Sequence, residues 1–392
     1  MQPLTGRRLW FAGIGGAGMS ALALVARAWG AEVAGWDRVR TAYLEHLGDV
    51  DVTIADEPPA PPPDWEVIVS TAFAGRVEGR SRGELLAELV DLRPSIVVAG
   101  AHGKTTTTAM IVFVLDQLGL DPSFLVGGDV PQLGGNARAG GGWLVAEGDE
   151  SDRSLELLRP RIAVLTNVDL DHHTTFASRA EVEELFERWL AHAPHVVRGD
   201  ELAPFAGELA VPGEHNRRNA AVAVAALELS GVAPRDAERG LAEFRGVARR
   251  LERTGEAGGV EVFDDYAHHP AEIAATLAAA CDGARLLVLF QPHLYSRTRH
   301  LAHEFADALA AADVVAVADV YAAREQPVEG VSGKLVVEAL AEARPGMPLG
   351  WMPSVEDGAR FLVRRARAGD RVLTIGAGDV DRAGPLVLED LS

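Results

Sequence analysis

Apolar positions in this chain come in short continuous blocks, not in strict alternation with polar ones. Residues 8–12, 32–36, 67–71, 95–98, 143–146 and 162–165 are such blocks in the first half. Residues 260–263, 285–290, 314–318 and 371–375 are those of the last third. Runs this short, rich in β-branched residues, predict strands buried on both faces. Stretches of helical length separate them: 21–29 reads as a helix, 109–115 as a buried one, and 180–192 as an amphipathic one. Strand followed by helix, repeated, predicts an α/β chain with parallel sheets. Pro58, Pro59, Pro61, Pro62 and Pro63 mark a loop or stiff spacer, while Gly127-Gly128 and Gly134-Gly135-Asn136 read as turns.

The most informative block is the one at 95–98. It runs into Gly100-Ala101-His102-Gly103-Lys104-Thr105-Thr106 and then into a helix. Strand, glycine turn, Lys-Thr and helix form a phosphate-binding arrangement. Glycines let the backbone approach an anion, and the amides and dipole of the helix N-terminus favour negative charge. Lys104 can reach terminal phosphates, and the Thr105 hydroxyl can ligate Mg²⁺. Only two residues separate Gly100 from Gly103, fewer than in the usual P-loop. The plainer alternative is a glycine turn that merely starts a buried helix. On the ligand reading, Lys104 is expected to have no structural partner apart from phosphate.

Other polar clusters also follow strands. Residues 8–12 lead into Gly13-Ile14-Gly15-Gly16-Ala17-Gly18, a G-x-G-x-x-G turn, and residues 32–36 end at Asp37. That motif suits NAD, another diphosphate ligand, or only tight helix–strand packing. Residues 143–146 end in Glu147-Gly148-Asp149-Glu150-Ser151-Asp152, and 162–165 in a run that includes Asp169, Asp171, His172 and His173. Ligands of open α/β sheets bind at the carboxyl ends of strands. Carboxylates and imidazoles there suit a divalent cation, although either histidine could equally cap a helix or sit in the core. Asn216 and Asn219 are either helix N-caps or amides that read an adenine edge. In the last third, four strands end in polar clusters. These hold Asp265, Tyr266 and His268; Gln291 to Arg299; Asp319 and Tyr321; and Gly376 to Asp379.

A length of 392 residues suggests two or three domains. The formal net charge of −20 argues against a nucleic-acid backbone or an anionic membrane as partner. A phosphorylated ligand is then held by local sites. All but two of the 37 basic residues are arginine, the lysines being Lys104 and Lys334. Cys281 is the only cysteine, which excludes an internal disulfide and fits a reducing compartment. Residues 1–10 have no apolar signal core, and no stretch approaches ~18 consecutive apolar residues. The expectation is a cytoplasmic protein.

Taken in order, these segments resemble the Mur ligases of peptidoglycan synthesis. The matching runs are GIGGAGMSALA (13–23), AGAHGKTTTT (99–108), EGDESD (147–152), TNVDLDHH (166–173), PGEHNRRNAA (212–221), GVARRLE (246–252), DDYAHHPAEI (264–273), FQPHLYSRT (290–298), DVYAAREQPVEGVSG (319–333) and IGAGDV (375–380). DDYAHHP together with QPHLYSRT points to the alanine-adding branch. The resemblance implies three domains: 1–93 for a UDP-sugar, 94–246 for ATP and 247–392 for the amino acid. The first and last are implied to be Rossmann-like and the central one a P-loop-type parallel sheet.

It also implies ATP and Mg²⁺ as cofactors, UDP-N-acetylmuramate and L-alanine as substrates, and amide formation through an acyl phosphate. Gly100 to Thr106 would cradle the phosphates with Lys104 on the terminal ones. Thr105 and Glu147 would bind one Mg²⁺ and His172 a second, and Asn216 and Asn219 would face adenine. Gly13, Gly15, Gly16, Gly18, Asp37 and Ser70 would hold the UDP-sugar. Arg250, Asp265, Tyr266, His268 and Arg297 would come from the third domain as it closes. Arg250 and Asp265 would serve the nucleotide, and Tyr266, His268 and Arg297 the substrate.

The chain departs from the family pattern in several places. A strand-rich segment between 196 and 211 is short, and a helix–strand piece between 73 and 84 is missing. Leu294 stands where many members carry arginine, and Thr174 where many carry aspartate. Some relatives use a carbamylated lysine at the second metal, and no lysine lies between Lys104 and Lys334. The rivals are a sister ligase that attaches a preformed peptide, and a shortened homologue that binds both nucleotides without ligating.

Overall fold

The computed structural model describes residues 2–170, 175–323 and 325–392. The chain divides into two compact units. The first runs to Val211 and resumes at Asn216–Val247; the second is Pro212–His215 with Ala248–Ser392. The regions expected as first and second domains therefore share one unit.

In the first unit the chain begins β1 (Arg8–Ala12), α1 (Ala17–Ala28), β2 (Glu32–Asp37), β3 (Asp51–Ile54), β4 (Glu66–Val69), β5 (Arg80–Ser81) and α2 (Arg82–Asp91). These strands form an all-parallel sheet of order β3-β2-β1-β4-β5. Then come β6 (Ser95–Ala99), α3 (Lys104–Gln117), β7 (Ser123–Val130), β8 (Gly135–Arg138), β9 (Leu144–Glu147) and β10 (Ile162–Leu165). After these follow α4 (Arg179–Leu190), β11 (His195–Arg198), α5 (Glu214–Leu229) and α6 (Pro234–Ala242). The second sheet has the order β11-β10-β6-β9-β7-β8, with only β7 and β8 antiparallel. α1 packs against β7 and β8, which joins the two sheets.

The second unit holds β12 (Glu252–Ala257), β13 (Val260–Asp265), α7 (Pro270–Ala280), β14 (Leu286–Phe290), α8 (Tyr295–Leu309) and β15 (Val314–Val317). It ends with α9 (Lys334–Ala343), β16 (Leu349–Trp351), α10 (Val355–Val363), β17 (Arg371–Ile375) and α11 (Ala383–Leu391). Its sheet runs β12-β13-β17-β14-β15-β16, with β12 the antiparallel edge. The expected α/β class with parallel-rich sheets is what the chain adopts. Among the described residues, no helix is long and apolar enough to cross a membrane.

Local chemistry accounts for the elements. α3 is apolar nearly all round, and its residues from Thr106 to Leu115 are buried between sheet and α6. Burying each Val, Leu or Ile of such a helix contributes ~1.5–3 kcal/mol, which anchors the loop in front of it. α2 starts with a capping box: Ser81 Oγ accepts from the Glu84 amide, and Glu84 accepts from the Ser81 amide. α7 starts with His269 as cap and Pro270 at its first position.

Two expectations change. Gly127 and Gly128 lie inside β7, where pairing with β8 is irregular between Leu125 and Val130. A Cβ on Gly127 would stand 2.9 Å from the Glu147 carboxylate, so β7 passes close to that side chain here. Of the second expected turn, Gly134 keeps its place with φ +76°, while Gly135 and Asn136 open β8. Asn216 and Asn219 lie in the body of α5, both buried, so neither is an N-cap.

Candidate functional site

In the second sheet β10, β6 and β9 are parallel neighbours. Three clusters far apart in sequence therefore leave the same sheet edge side by side: the loop before α3, the acidic run after β9, and the run after β10. The loop Gly100–Gly103 is braced by residues after β10. The Asn167 side chain accepts from the His102 amide at 3.0 Å and donates to the His102 carbonyl at 2.9 Å. Thr166 Oγ1 donates to that carbonyl at 2.6 Å. Gly100 has φ +129°, and a Cβ there would lie 2.3 Å from Thr166 Oγ1. Gly103 has φ +82°, and its Cβ would lie 2.3 Å from Asn219 Oδ1. Both positions thus demand glycine for conformation and for space. Asn219 is packed against the loop itself, and its amide lies 3.4 Å from Asn216 Oδ1.

Thr105 Oγ1 donates to Glu147 Oε2 at 3.1 Å, and the Gly127 amide donates to the other Glu147 oxygen. Thr106, next in α3, is buried. The expectation that Lys104 has no structural partner is overturned. Its ammonium donates to the Gly100 carbonyl and lies 3.2 Å from both oxygens of Glu150, a residue 3% exposed. The reason is charge balance: a carboxylate taken out of water needs a cation, and this one is within reach. Burial opposes the charge on Lys104. Glu150, then Asp149 and Glu147, outweigh it and hold the lysine above its ordinary pKa. Asp149 is also costly to bury, yet Arg82, Ser151 and Lys104 bring its carboxyl below the usual carboxylate range. Hard oxygen donors at Thr105 and Glu147, beside an ammonium at a helix N-terminus, fit a Mg²⁺-bound phosphate group. His172, His173 and Thr174 lie outside the described residues.

In the first sheet β2, β1 and β4 are neighbours, which brings Asp37, the glycine turn and Ser70 together. One Asp37 oxygen accepts from the Gly15 amide at 2.8 Å and the other from the Arg38 amide at 2.7 Å. A Cβ on Gly13 would stand 2.5 Å from Ser70 Oγ. Gly16 caps α1, and Gly18 lies in its first turn. The Asn136 side chain donates to the Ala17 carbonyl at 3.1 Å, a brace for this turn that comes from β8.

The second unit gathers its own set. β13, β17, β14 and β15 are parallel neighbours, so their four polar ends share an edge. Rings of Tyr266, His268, His293 and Tyr321 follow one another at centroid distances of 5.5, 5.8 and 5.9 Å. Arg297, 5% exposed, reaches His293 Nδ1 at 3.4 Å. His268 Nδ1 lies 3.1 Å from the Tyr266 carbonyl, an acceptor, so that nitrogen carries the hydrogen. Asp265 spends both oxygens on backbone amides, those of Leu251 and Ala267, each at 2.7 Å. Burial pushes its carboxyl up to about 6, against the pull of Arg250 and those amides. Of the arginine pair, Arg249 is bound to Asp264 at 2.7 Å and to the carbonyls of Gly376 and Gly378 at 2.9 and 3.2 Å. Arg250 lies over the Tyr266 ring at 5.3 Å.

Sequence reasoning passed over Glu150, Thr166, Asn167 and His293 as individuals, although each lies in a run that it marked. The signal was available only as excess charge: four carboxylates in 147–152 require cations nearby.

Three family models match along the chain: "Mur ligase family, catalytic domain" over 8–93, "Mur ligase middle domain" over 98–201 and "Mur ligase, glutamate ligase domain" over 249–378. The chain is 40% identical to the UDP-N-acetylmuramate–L-alanine ligase of Renibacterium salmoninarum, covering 98% of this chain and 96% of that one. Identity to the protein of that name from Pelotomaculum thermopropionicum is 38%, with 96% of each covered. The first of these alignments runs over 453 residues against the 392 here, so that relative carries segments absent from this chain. Among solved structures, the UDP-N-acetylmuramate–alanine ligase of Thermotoga maritima matches with a TM-score of 0.79 at 27% identity. That match covers 97% of this chain and 98% of the other. A murein peptide ligase from Psychrobacter arcticus matches with 0.69 at 25%, covering 98% and 99%.

Proposed function

The chain belongs to the Mur ligase family, and from that premise we propose that it joins L-alanine to the carboxylate of UDP-N-acetylmuramate at the expense of ATP. The reaction belongs to peptidoglycan synthesis and, on this reading, runs in the cytoplasm. The observation that carries it is the group at the start of α3: Lys104 beside an acidic loop, with Thr105 3.1 Å from Glu147. It lies in a chain that matches ligases of this activity from end to end.

On this reading residues 1–93 hold the UDP-sugar, 94–246 the ATP and 247–392 the amino acid. The substrate carboxylate attacks the γ-phosphorus of ATP, the bond to ADP breaks, and an acyl phosphate forms. The alanine amine then attacks the acyl carbon, loses a proton, and phosphate departs. Little of this needs an acid or base from the protein. What it needs is position, and compensation of charge on the transferring group. Lys104 and the turn from Gly100 to Thr106, through the amides that open α3, supply that charge to the phosphates. Mg²⁺, when held by Thr105 and Glu147 with His172 at a second ion, supplies further neutralisation. Asn216 and Asn219 contact adenine. The turn of Gly13, Gly15, Gly16 and Gly18 holds the UDP diphosphate, with Asp37 fixing it through the Gly15 amide and Ser70 beside it. Arg297 takes the alanine carboxylate, with His268 and Tyr266 adding polar contacts. Asp265 shapes the loop that presents Arg250 to the nucleotide.

The test is phosphate release by the purified protein. Release that requires ATP, alanine and UDP-N-acetylmuramate together is expected. Release with a preformed tripeptide but not with alanine would make it a sister ligase. Binding of both nucleotides with no release under any combination would make it a non-catalytic homologue.

A further inference from the structure

Arg82 has no assigned part in the reaction, yet its guanidinium lies against both halves of the first unit. It occupies the first position of α2, which the Ser81–Glu84 capping box fixes. One amino group, Nη2, donates to Asp149 Oδ2 and, at 3.3 Å, to Asp152 Oδ2. The other, Nη1, faces the glycine turn: a Cβ on Gly18 would stand 3.2 Å from it. The fit between α2 and the acidic loop is tight. A Cβ on Gly83 would meet Ser154 Cβ at 2.4 Å. Thr71 Oγ1, from the end of the first sheet, donates to the same Asp152 oxygen at 3.2 Å. The Ser151 and Ser154 amides complete the remaining aspartate oxygens at 2.9 and 3.0 Å.

Four carboxylates, Glu147, Asp149, Glu150 and Asp152, follow β9 within six residues. Asp149 pairs with Arg82, one residue before the Glu150 that Lys104 holds. Lys104 already meets Glu150. A triphosphate entering the loop before α3 must compete with every carboxylate that Lys104 can reach.

We propose that Arg82 is a positioning residue for the ATP site: it holds Asp149 away from Lys104, so that phosphate competes for the ammonium with Glu150 and not with a second carboxylate. The inference rests on the ATP-dependent reading above. Removing the guanidinium releases Asp149 toward Lys104 and leaves the loop one cation short, which weakens nucleotide binding without touching the nucleotide. At the short separations of this cluster, a single uncompensated charge is worth about a factor of ten in affinity.

The test is calorimetric titration of the full chain with Mg·ADP, alongside thermal melting. Arg82→Gln is expected to weaken binding about tenfold. Arg82→Lys, which keeps the charge but not the fork that reaches both aspartates, is expected to lose about threefold. The deciding variant is Arg82→Gln combined with Asp149→Asn. With the released carboxylate gone, affinity should return to within about threefold of the parent. Failure of the double variant to recover, while it melts as the parent does, overturns the proposal. So does unchanged affinity in Arg82→Gln. A parent chain that binds no Mg·ADP at all defeats the ATP-dependent reading itself, and this proposal with it.

Discussion

The ammonium of Lys104 stands 3.2 Å from both carboxylate oxygens of Glu150, at the mouth of a loop shaped for phosphate. Two demands meet at this lysine. It satisfies a buried carboxylate, and in the proposed reaction it also meets the phosphates. Removing one partner of a buried pair leaves the other charge uncompensated, at a cost of ~3–5 kcal/mol. Lys104→Met is therefore expected to abolish ligation and also to lower the melting temperature. Lys104→Met with Glu150→Gln should regain most of that stability and none of the ligation. The pair is not structural if the single variant melts as the parent does. The phosphate-loop assignment fails if ligation stays within a few-fold.

Arg297 carries a second prediction. It is buried near His293 in a ring-lined cluster that also holds His268 and Tyr266. Arg297→Ala should raise KM for alanine, with KM for ATP nearly flat. A lost charge-assisted hydrogen bond costs ~1.5–3 kcal/mol, or about ten- to a hundredfold. Lysine should rescue poorly because it lacks the planar fork. If KM for ATP rises while that for alanine stays level, the arginine serves the nucleotide instead.

The titration of Asp265 is the third. Burial raises its carboxyl from the ordinary 3.8 to about 6. The folded chain therefore binds this proton more tightly than the unfolded one. The sign follows from linkage: the stabilisation is full below about pH 4 and is lost as pH rises through about 6. Carbon-13 titration of the side-chain carboxyls, with Asp265 identified by Asp265→Asn, should show a midpoint near 6. A midpoint in the ordinary carboxylate range would refute it.

Leu294 supplies the fourth. Its φ is +71° at the start of α8. Its amide donates to the Tyr321 carbonyl at 3.0 Å, and its carbonyl accepts from Thr298 Oγ1 at 2.7 Å. Those bonds hold a conformation that costs a leucine ~1–3 kcal/mol. In urea unfolding Leu294→Gly should be at least as stable as the parent, to within ~1 kcal/mol, and Leu294→Val less stable by ~1–3 kcal/mol. Equal losses for both would mean that the side chain, not the backbone, matters at this position.

Strands buried on both faces are legible in the chain, because burial leaves a continuous apolar run such as 95–98 or 286–290. Glycine and charge collected just after those strands are equally legible, at the edge where ligands of parallel sheets bind in general. β12, with the sequence Glu-Arg-Thr-Gly-Glu-Ala, left no such mark. An edge strand is held by backbone hydrogen bonds, which any side chain permits. β5, with two residues, is too short for a pattern. Tertiary structure alone decided which carboxylate meets which cation. Four acids in six residues look alike along the chain. Their partners are set by distances across the sheet order β10-β6-β9 and by the seating of α2 on the loop after β9. Lys104 with Glu150, Arg82 with Asp149, and Arg297 beside His293 are relationships of that kind. Their strength depends on burial and separation in space, quantities that no local run of residues records.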